Sequence, residues 1–190
     1  RGGEWKRSKY TGIELFENDF IHFAGSARDL RAMASDLGLG IDLYQPFRDF
    51  EGMPEALFRR SLDRAEHKFD LMEELGAPLV LVCSNTSPVS LGDAERSAAQ
   101  LRELADRAAR RNLRIGFEAL AWGRHVNLYR HAWDLVQRAD HPHLGLILDS
   151  FHTLSLNDDP AGIARIPGEK IFFVQMADAP RLAMDVLQWA

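Results

Sequence analysis

The 190-residue sequence predicts an α/β protein with a parallel sheet, and specifically a (β/α)8 barrel of which about six of the eight strands are present. Short apolar runs rich in β-branched residues alternate with longer segments of helical periodicity, as in a series of strand–helix units. The glycine-rich phosphate-binding patterns of open doubly wound sheets, GxGxxG and GxxxxGK(S/T), do not occur. Polar residues instead follow nearly every strand, where a barrel builds its active site, so we favour the barrel over the open sheet.

The six segments predicted as strands are short, apolar and bounded by turn residues. In chain order they cover residues 11–16, 41–45, 79–83, 114–120, 144–150 and 171–178. Pro46 is expected to end the second strand. The third strand is apolar throughout, as expected for a strand that is covered on both faces.

The segments between the strands are predicted as helices, because their apolar residues recur every three or four positions. Ser26 is a typical N-cap for the first helix, and Gly76 is a typical stop signal for the second. The predicted helices cover residues 26–38, 54–75, 93–111 and 128–139, with a short helical piece at 160–166 and the start of a further helix at 181–189.

The composition excludes several classes of protein. With 46% hydrophobic and 27% charged residues, the chain is typical of a folded domain. Its 28 acidic and 23 basic residues give a net charge of −5, which disfavours nucleic acid as a partner. No apolar run approaches the ~20 residues of a membrane span and no secretory signal is recognisable, so we expect a cytoplasmic protein with no membrane partner. The single cysteine excludes an internal disulfide and a multi-cysteine zinc site.

Three consecutive predicted strands each carry an inward-facing oxygen donor near the carboxyl end. Because side chains alternate along a strand, Glu118, Asp149 and Gln175 take one face and their apolar neighbours take the other. In the last strand the same alternation places Ile171 and Phe173 inward with Gln175. Buried carboxylates need a compensating charge, and hard oxygen donors suit Mg²⁺, Mn²⁺ or Co²⁺, so we predict a divalent metal ion here. The alternative is three separate rim residues that backbone amides or arginines satisfy.

One histidine and four loop residues are further candidates. His152 follows Asp149 in DSFH, which favours a general base or proton shuttle over an ordinary surface or capping histidine. Arg124 and His125 lie on the loop AWGRHVN, which is either a substrate contact or a loop anchored by its tryptophan. Arg48, flanked by aromatic residues in QPFRDFEG, suits the capture of a carboxylate or phosphate, with an ion pair to a neighbour as the alternative. Asn85 is a candidate hydroxyl contact.

Three other residues with ionisable side chains lie in or beside the predicted strands. Glu14 and Glu17 lie on opposite faces of the first strand, so at most one of them points inward. Cys83 has no thiol partner and is predicted to be a core residue.

Seven segments resemble the bacterial 3-dehydroshikimate dehydratases: ELFEND, QPFRDFEG, DRAEHKFDLMEELG, LVCSN, FEALAWGRHVN, ADHPHLGLILDSFHTL and IPGEKIFFVQMADAP. These enzymes belong to the sugar-phosphate isomerase/epimerase-like TIM barrels, which are related more distantly to xylose isomerase and endonuclease IV. The resemblance runs from about residue 10 to residue 189, and residues 1–9 match nothing that we can place.

The resemblance implies one divalent metal ion held by Glu118, Asp149, Gln175 and a further Glu, which is expected beyond Ala190. It also implies that His152 is the active-site histidine that follows the Asp ligand. We take His152 as the base and assign Glu118 a catalytic role besides ligation.

The implied reaction is the dehydration of 3-dehydroshikimate, a small-molecule substrate, to protocatechuate in quinate and shikimate catabolism. A base removes the proton alpha to the ketone, a metal-stabilised enolate forms, and the β-hydroxyl then leaves as water, with aromatisation of the ring. Arg48 or Arg124 is expected to bind the substrate carboxylate.

The length qualifies this interpretation, since a (β/α)8 barrel typically has about 250 residues. Counted against the family, the first strand–helix unit and the last strand are missing, so we treat residues 1–190 as one barrel domain that is truncated at both ends. In several members of the family the barrel is fused to a C-terminal domain that resembles 4-hydroxyphenylpyruvate dioxygenase. The oligomeric state is left open, a homo-oligomer included.

Other functions are compatible with the same strand-end residues. A keto-sugar or inosose isomerase, epimerase or dehydratase would use the same metal and base and differ in its loops. A noncatalytic barrel remnant would bind a ligand or stabilise a fused partner without a metal ion. A DNA-repair endonuclease is disfavoured by the acidic net charge of −5 and by too few histidines at strand ends for a multi-zinc site.

Overall fold

Parallel strands build the centre of the molecule, which the computed structural model describes for residues 10–178 and 182–187. Within these residues, six strands form one sheet in the order of the chain. They are β1 (Gly12–Phe16), β2 (Gly40–Phe47), β3 (Leu79–Cys83), β4 (Arg114–Glu118), β5 (Leu144–Asp149) and β6 (Ile171–Gln175). Each strand pairs in parallel with the next one along the chain. The fold is therefore an incomplete (β/α) barrel, as the sequence predicts.

Helices connect the strands. They are α1 (Glu17–His22), α2 (Ala27–Asp36), α3 (Glu55–Leu75), α4 (Ala94–Ala109), α5 (Tyr129–Ala139), α6 (Ser150–Ser155) and α7 (Met184–Leu187). Ser26 caps α2 in a capping box with Asp29, and α3 ends at Gly76, whose φ of 72° is left-handed. Helices α1 and α6 were not predicted, because each is six residues long and too short to show a helical period.

The ends of the chain bear on two further expectations. Of the helix predicted over residues 181–189, α7 is observed, and residues 181, 188 and 189 lie outside the described part of the chain. In the described ranges, no helix combines the length and the apolar character that crossing a bilayer requires.

The two faces of the sheet pack against different partners. Val80 and Val82 point outward into a large core that includes the buried faces of α2, α3, α4 and α5. Their neighbours Leu79 and Leu81 point inward and form a smaller cluster with Ile147. This alternation brings the last residues of the strands to one end of the inner face, where a barrel places its active site.

The second strand is longer than predicted. Pro46 does not end it, because β2 continues through Pro46 to Phe47. The register of the β2–β3 pairing shifts between Tyr44 and Phe47, so the missing N–H of Pro46 falls at an irregular step of the ladder.

The last described strand departs from strict alternation. Ile171 packs against the outer core, while Phe172 and Phe173 both pack against the inner cluster. The register of the β5–β6 pairing shifts at this point, so the predicted inward position of Ile171 is wrong. Beyond the shift the pairing is regular, and Gln175 lies opposite Asp149.

Candidate metal centre and active site

Glu118, Asp149 and His152 meet at the carboxyl ends of β4 and β5. His152 Nε2 lies 4.0 Å from Glu118 Oε1 and 3.9 Å from Asp149 Oδ2. One potential ligand atom from each of the three residues lies within 4.8 Å of the others. The sequence analysis singled out all three residues, and the structure brings them together.

The local structure explains this placement. Glu118 is the last residue of β4 and pairs with Ile147, so Asp149 extends two residues further along β5. Asp149 also caps α6, because its Oδ1 accepts a hydrogen bond of 2.7 Å from the backbone N–H of Phe151. This bond fixes the carboxylate and leaves Oδ2 facing His152.

The electrostatics of this cluster favour a cation. The side chain of Glu118 is buried, and burial, followed by the charge of Asp149, raises the pKa of Glu118 to about 8. Its only hydrogen-bond donor in the described part of the chain is the Cys83 thiol, 3.7 Å from Oε2. A positive ion between two such carboxylates would remove their repulsion and offset the cost of burial.

Gln175 is the third candidate oxygen donor and lies opposite Asp149 in the β5–β6 ladder. Its Nε2 donates a hydrogen bond to Glu14 Oε1, while its own Oε1 is buried and has no hydrogen-bond partner in the described part of the chain. An unsatisfied buried acceptor is unusual in a folded protein and fits a ligand atom for a metal ion. Two carboxylates and one amide oxygen would together make a donor set of the kind that hard divalent cations prefer.

His152 is held by aromatic rings and by one backbone bond. Its ring packs edge-on against Trp122 and Phe151, with centroids 5.0 Å and 5.4 Å away. The backbone N–H of Ala121 donates to Nδ1 at 3.2 Å, which favours the proton on Nε2. Burial lowers the pKa of His152 below its ordinary value, and the charge of Asp149 opposes this shift. With its proton on Nε2, His152 directs an N–H toward the carboxylates, whereas in the opposite tautomer Nε2 is a potential ligand atom.

Arg48 lies near this cluster. The positive charge of its guanidinium lowers the pKa of both Glu118 and His152, although burial is the largest influence on each. The guanidinium has no hydrogen bond or ion pair to any residue that the structure describes. Arg48 also lines a cleft of about 750 Å³ with Lys68 and Arg64, and this cleft is separate from the carboxylate cluster. Arg48 is therefore available to an anionic ligand.

The other loop candidates are engaged elsewhere. Asn85 is buried, and its Nδ2 donates to the carbonyl of Glu51 at 2.7 Å. His125 Nε2 lies 3.0 Å from the carbonyl oxygen of Ser90, beside a separate cavity of about 270 Å³. Arg124 is exposed, and its backbone N–H donates to the Asn85 carbonyl, while its guanidinium has no partner among the described residues. The structure thus bonds the side chains of Asn85 and His125 and the backbone of Arg124 to neighbouring loops, and the contact of these residues with a substrate stays a prediction.

Comparison with known proteins identifies the family of this fold and site. The family model for the xylose isomerase-like TIM barrel matches residues 4–187. The chain belongs to the xylose isomerase-like TIM barrel family. Within this family it is similar to the 3-dehydroshikimate dehydratase of Pseudomonas aeruginosa, with 65% identity over 181 residues. That alignment covers 95% of this chain and 28% of the relative, so the chain spans only a part of that protein.

Solved structures of the same barrel family extend the comparison. A xylose isomerase-like TIM barrel/4-hydroxyphenylpyruvate dioxygenase fusion protein is 61% identical, with a TM-score of 0.92 over 95% of this chain and 29% of that chain. The IOLI protein, whose structure contains a bound zinc atom, is 19% identical, with a TM-score of 0.79 over 93% of this chain and 67% of that chain. At that identity the second likeness shows the fold alone.

Two acidic residues of the xylose isomerase-like barrel were not assigned from the sequence. Glu14 points inward from β1, and its Oε1 accepts hydrogen bonds from the side-chain amides of Gln45 and Gln175. Burial raises the pKa of Glu14 above its ordinary value. The alternation along the first strand predicted that at most one of Glu14 and Glu17 points inward, and no local sequence feature showed which of the two does.

Glu51 was missed entirely. It is buried, its Oε1 accepts a hydrogen bond of 2.6 Å from the backbone N–H of Asn85, and its Oε2 has no partner in the described residues. Burial raises the pKa of Glu51 to about 8. A carboxyl between Phe50 and Gly52 in QPFRDFEG was the only available signal of this buried position.

Proposed function

We propose that the chain is the metal-binding barrel of a 3-dehydroshikimate dehydratase, a hydro-lyase that forms protocatechuate from 3-dehydroshikimate in quinate and shikimate catabolism. The observation that carries the proposal is the cluster of Glu118, Asp149 and His152, with Gln175 opposite Asp149 in the β5–β6 ladder and its Oε1 buried without a partner in the described residues. The 65% identity to the dehydratase of Pseudomonas aeruginosa supports the choice of substrate within the family.

The proposed role of Glu118, Asp149 and Gln175 is to hold one Mg²⁺, Mn²⁺ or Co²⁺ ion through their oxygens. When bound, such an ion would stabilise the negative charge that develops on the substrate ketone as its alpha proton leaves. The predicted fourth ligand is a Glu beyond Ala190. The buried, unpaired Oε1 of Gln175 supports this arrangement, since the described residues offer it no other partner.

His152 is proposed to move the proton at Nε2. Both the Ala121 N–H at Nδ1 and the nearby carboxylates favour the proton on Nε2, and a base at Nε2 needs the opposite tautomer. Neutralisation of the carboxylates would remove the second of these preferences. Nε2 can accept the alpha proton once the ring carries its own proton on Nδ1, a tautomer that gives up the hydrogen bond from Ala121. The long Ala121 bond of 3.2 Å is a weak constraint on this exchange.

Arg48 is proposed to bind the substrate carboxylate, with Arg124 as the second candidate. The free guanidinium of Arg48 and its electrostatic effect on Glu118 place a positive charge close to the carboxylate cluster. Asn85 would contact the substrate only if the loop that holds it rearranged, because its side-chain oxygen and nitrogen already have partners. His125 is exposed and is bonded through Nε2 to Ser90, so only its Nδ1 is available to a substrate in the present loop arrangement.

The protein that contains this barrel is further proposed to carry a C-terminal dioxygenase-like domain. The 61% identical fusion protein supports this arrangement, as does the length of the curated relatives. A cytoplasmic location, a homo-oligomer and a domain truncated at both ends stay predictions.

The deciding experiment is an absorbance assay for protocatechuate with the purified protein. The protein is treated with EDTA, dialysed, and assayed alone and with Mg²⁺, Mn²⁺ or Co²⁺. We expect turnover only after metal addition. Turnover of a keto-sugar or inosose in place of 3-dehydroshikimate would overturn the substrate and support an isomerase or epimerase. The absence of both metal binding and turnover would support a noncatalytic barrel remnant.

A further inference from the structure

The two ends of the Gln175 amide differ in chemistry but hardly in shape. Only the oxygen end can bind a cation, whereas the NH₂ end would repel one. Packing alone does not distinguish the two orientations, so a hydrogen-bonding partner must select one of them. The ligand role proposed for Gln175 therefore needs a residue that recognises the nitrogen end.

Glu14 has the properties of such a residue. Its Oε1 accepts a hydrogen bond from Gln175 Nε2, and an ionised carboxylate has no proton to offer to an amide oxygen. The same oxygen accepts from Nε2 of Gln45 on the neighbouring strand, and this second bond fixes the position of the carboxylate. Glu14 is thus an acceptor that can hold only the nitrogen end of Gln175.

The opposite end of the amide is left free. Gln175 Oε1 is buried without a hydrogen-bond partner in the described residues, and Gln175 pairs with the candidate ligand Asp149 across β5 and β6. The carboxylate of Glu14 is close enough for its charge to raise the pKa of Glu118, after the larger effects of burial and Asp149. Glu14 therefore lies beside the carboxylate cluster, and its Oε1 accepts hydrogen bonds from the side-chain amides of Gln45 and Gln175.

We propose that Glu14 is a positioning residue for the metal site, which turns the oxygen of Gln175 toward the ion by binding its nitrogen. The inference rests on the metal site of the proposed function but not on the substrate. It places a row of hydrogen-bonded side chains behind the proposed ligand Gln175, in which Glu14 binds Gln175 and Gln45 binds Glu14. Partners of this kind beyond the ligands typically change metal affinity by about 10- to 100-fold.

The test is the affinity for Co²⁺, measured by equilibrium dialysis with elemental analysis on the EDTA-treated protein. We expect Glu14→Ala to weaken binding by about 10- to 100-fold and to shift the visible absorption bands of bound Co²⁺. Glu17→Gln is the matched control, because it removes one carboxylate nearby whose partners are Lys68 and Tyr44. It should leave the Co²⁺ affinity unchanged.

A second variant, Gln175→Glu, separates the orientation of the Gln175 amide from the effect of the negative charge of Glu14. In Gln175→Glu both ends of the side chain are oxygens, so orientation no longer matters and Glu14→Ala should cause no loss of Co²⁺ affinity there. An equal loss in both backgrounds would overturn the inference and assign Glu14 a purely electrostatic effect. If Glu14→Ala does not fold by circular dichroism, Glu14→Gln is measured in the same two backgrounds, with a smaller loss expected because it retains one acceptor oxygen.

The Co²⁺ measurements can fail or succeed independently of the substrate assignment in the proposed function. The expected affinity pattern in a protein that does not form protocatechuate would overturn only the substrate assignment. A wild-type protein that binds no Co²⁺ would overturn the metal site and this inference together.

Discussion

The strand ends and the loops beyond them differ in how far their polar groups are satisfied. At the strand ends, Glu118 has a weak thiol donor as its partner and the Gln175 oxygen has none in the described residues. In the loops, Asn85 and His125 have backbone partners at 2.7–3.0 Å. Unsatisfied groups are available to a ligand, whereas satisfied groups stabilise the scaffold. The comparison predicts large effects on chemistry at the strand ends and smaller ones in the loops.

The largest effect is expected from the carboxylates. Glu118→Gln or Asp149→Asn should reduce turnover by about 10³-fold or more, since each removes a ligand whose ion supplies several kcal/mol. Protocatechuate absorbance and metal content are measured together. Glu169→Gln, an exposed acidic residue before β6, is the control and should behave as wild type. Near-wild-type turnover in the presence of EDTA would contradict the proposed metal site and the large effect expected at the strand ends.

The next effect belongs to His152. His152→Ala should lower kcat by about 10²-fold or more, the usual scale of a general base, while the bound metal is retained. Steady-state kinetics and elemental analysis are the measurements. An unchanged kcat with a raised KM would show instead that His152 binds substrate.

A smaller effect distinguishes two loop arginines. Arg48→Ala should raise KM by about 10- to 100-fold, because a charged hydrogen bond contributes roughly 1.5–3 kcal/mol. Arg124→Ala should have less effect, since the charge of Arg48, and not that of Arg124, acts on Glu118 and His152. The measurement is the KM for 3-dehydroshikimate of each variant, compared with that of the wild type. A larger effect at Arg124 would reverse their proposed roles.

The smallest effect on turnover is expected from Glu51, which acts on stability. Its folded pKa of about 8 lies above the ordinary value of 4.5, so the folded state retains a proton that the unfolded state loses. The free energy of unfolding therefore falls as the pH rises from about 4.5 to about 8, by ~1.4 kcal/mol for each unit of pKa difference. Glu51→Gln should reduce this fall.

Urea denaturation of the metal-free protein at pH 6 and pH 8.5 measures the change. Glu55→Gln, at the exposed start of α3, is the control, and its slope with pH should match wild type. Since Glu118 has a similarly raised pKa, the fall should be reduced and not abolished. Equal slopes for Glu51→Gln and wild type would show that Glu51 is ionised in the fold.

Much of the fold and the positions of Glu118 and Asp149 at one end of the sheet could be predicted, because both follow from local periodicity. Alternation along β4 and β5 places Glu118 and Asp149 inward without knowledge of their neighbours. The prediction failed at Pro46 and Ile171, where the register of the ladder shifts and the period of two is interrupted. Such register shifts depend on the partner strand and cannot be recognised from the sequence of one strand alone.

The roles of Glu14 and Glu51 could not be predicted, because they depend on distant partners. Glu51 meets Asn85 across 34 positions, and Glu14 meets Gln175 across 161 positions. A single sequence contains no signal for such pairs. Its local pattern shows where a side chain points, and only the assembled sheet shows what it meets.

The hydrogen bond from Gln175 to Glu14 also joins the first strand of the described sheet to the last one. Among the described residues these two strands share no backbone ladder, so the side-chain bond is a direct contact between the two edges of the described sheet. By thermodynamic linkage, a change that moves these two strands relative to each other would also change the affinity of the proposed site for its ion, and a bound ion would resist that movement by the same free energy. The spacing of the two strands and the proposed metal site are thereby coupled.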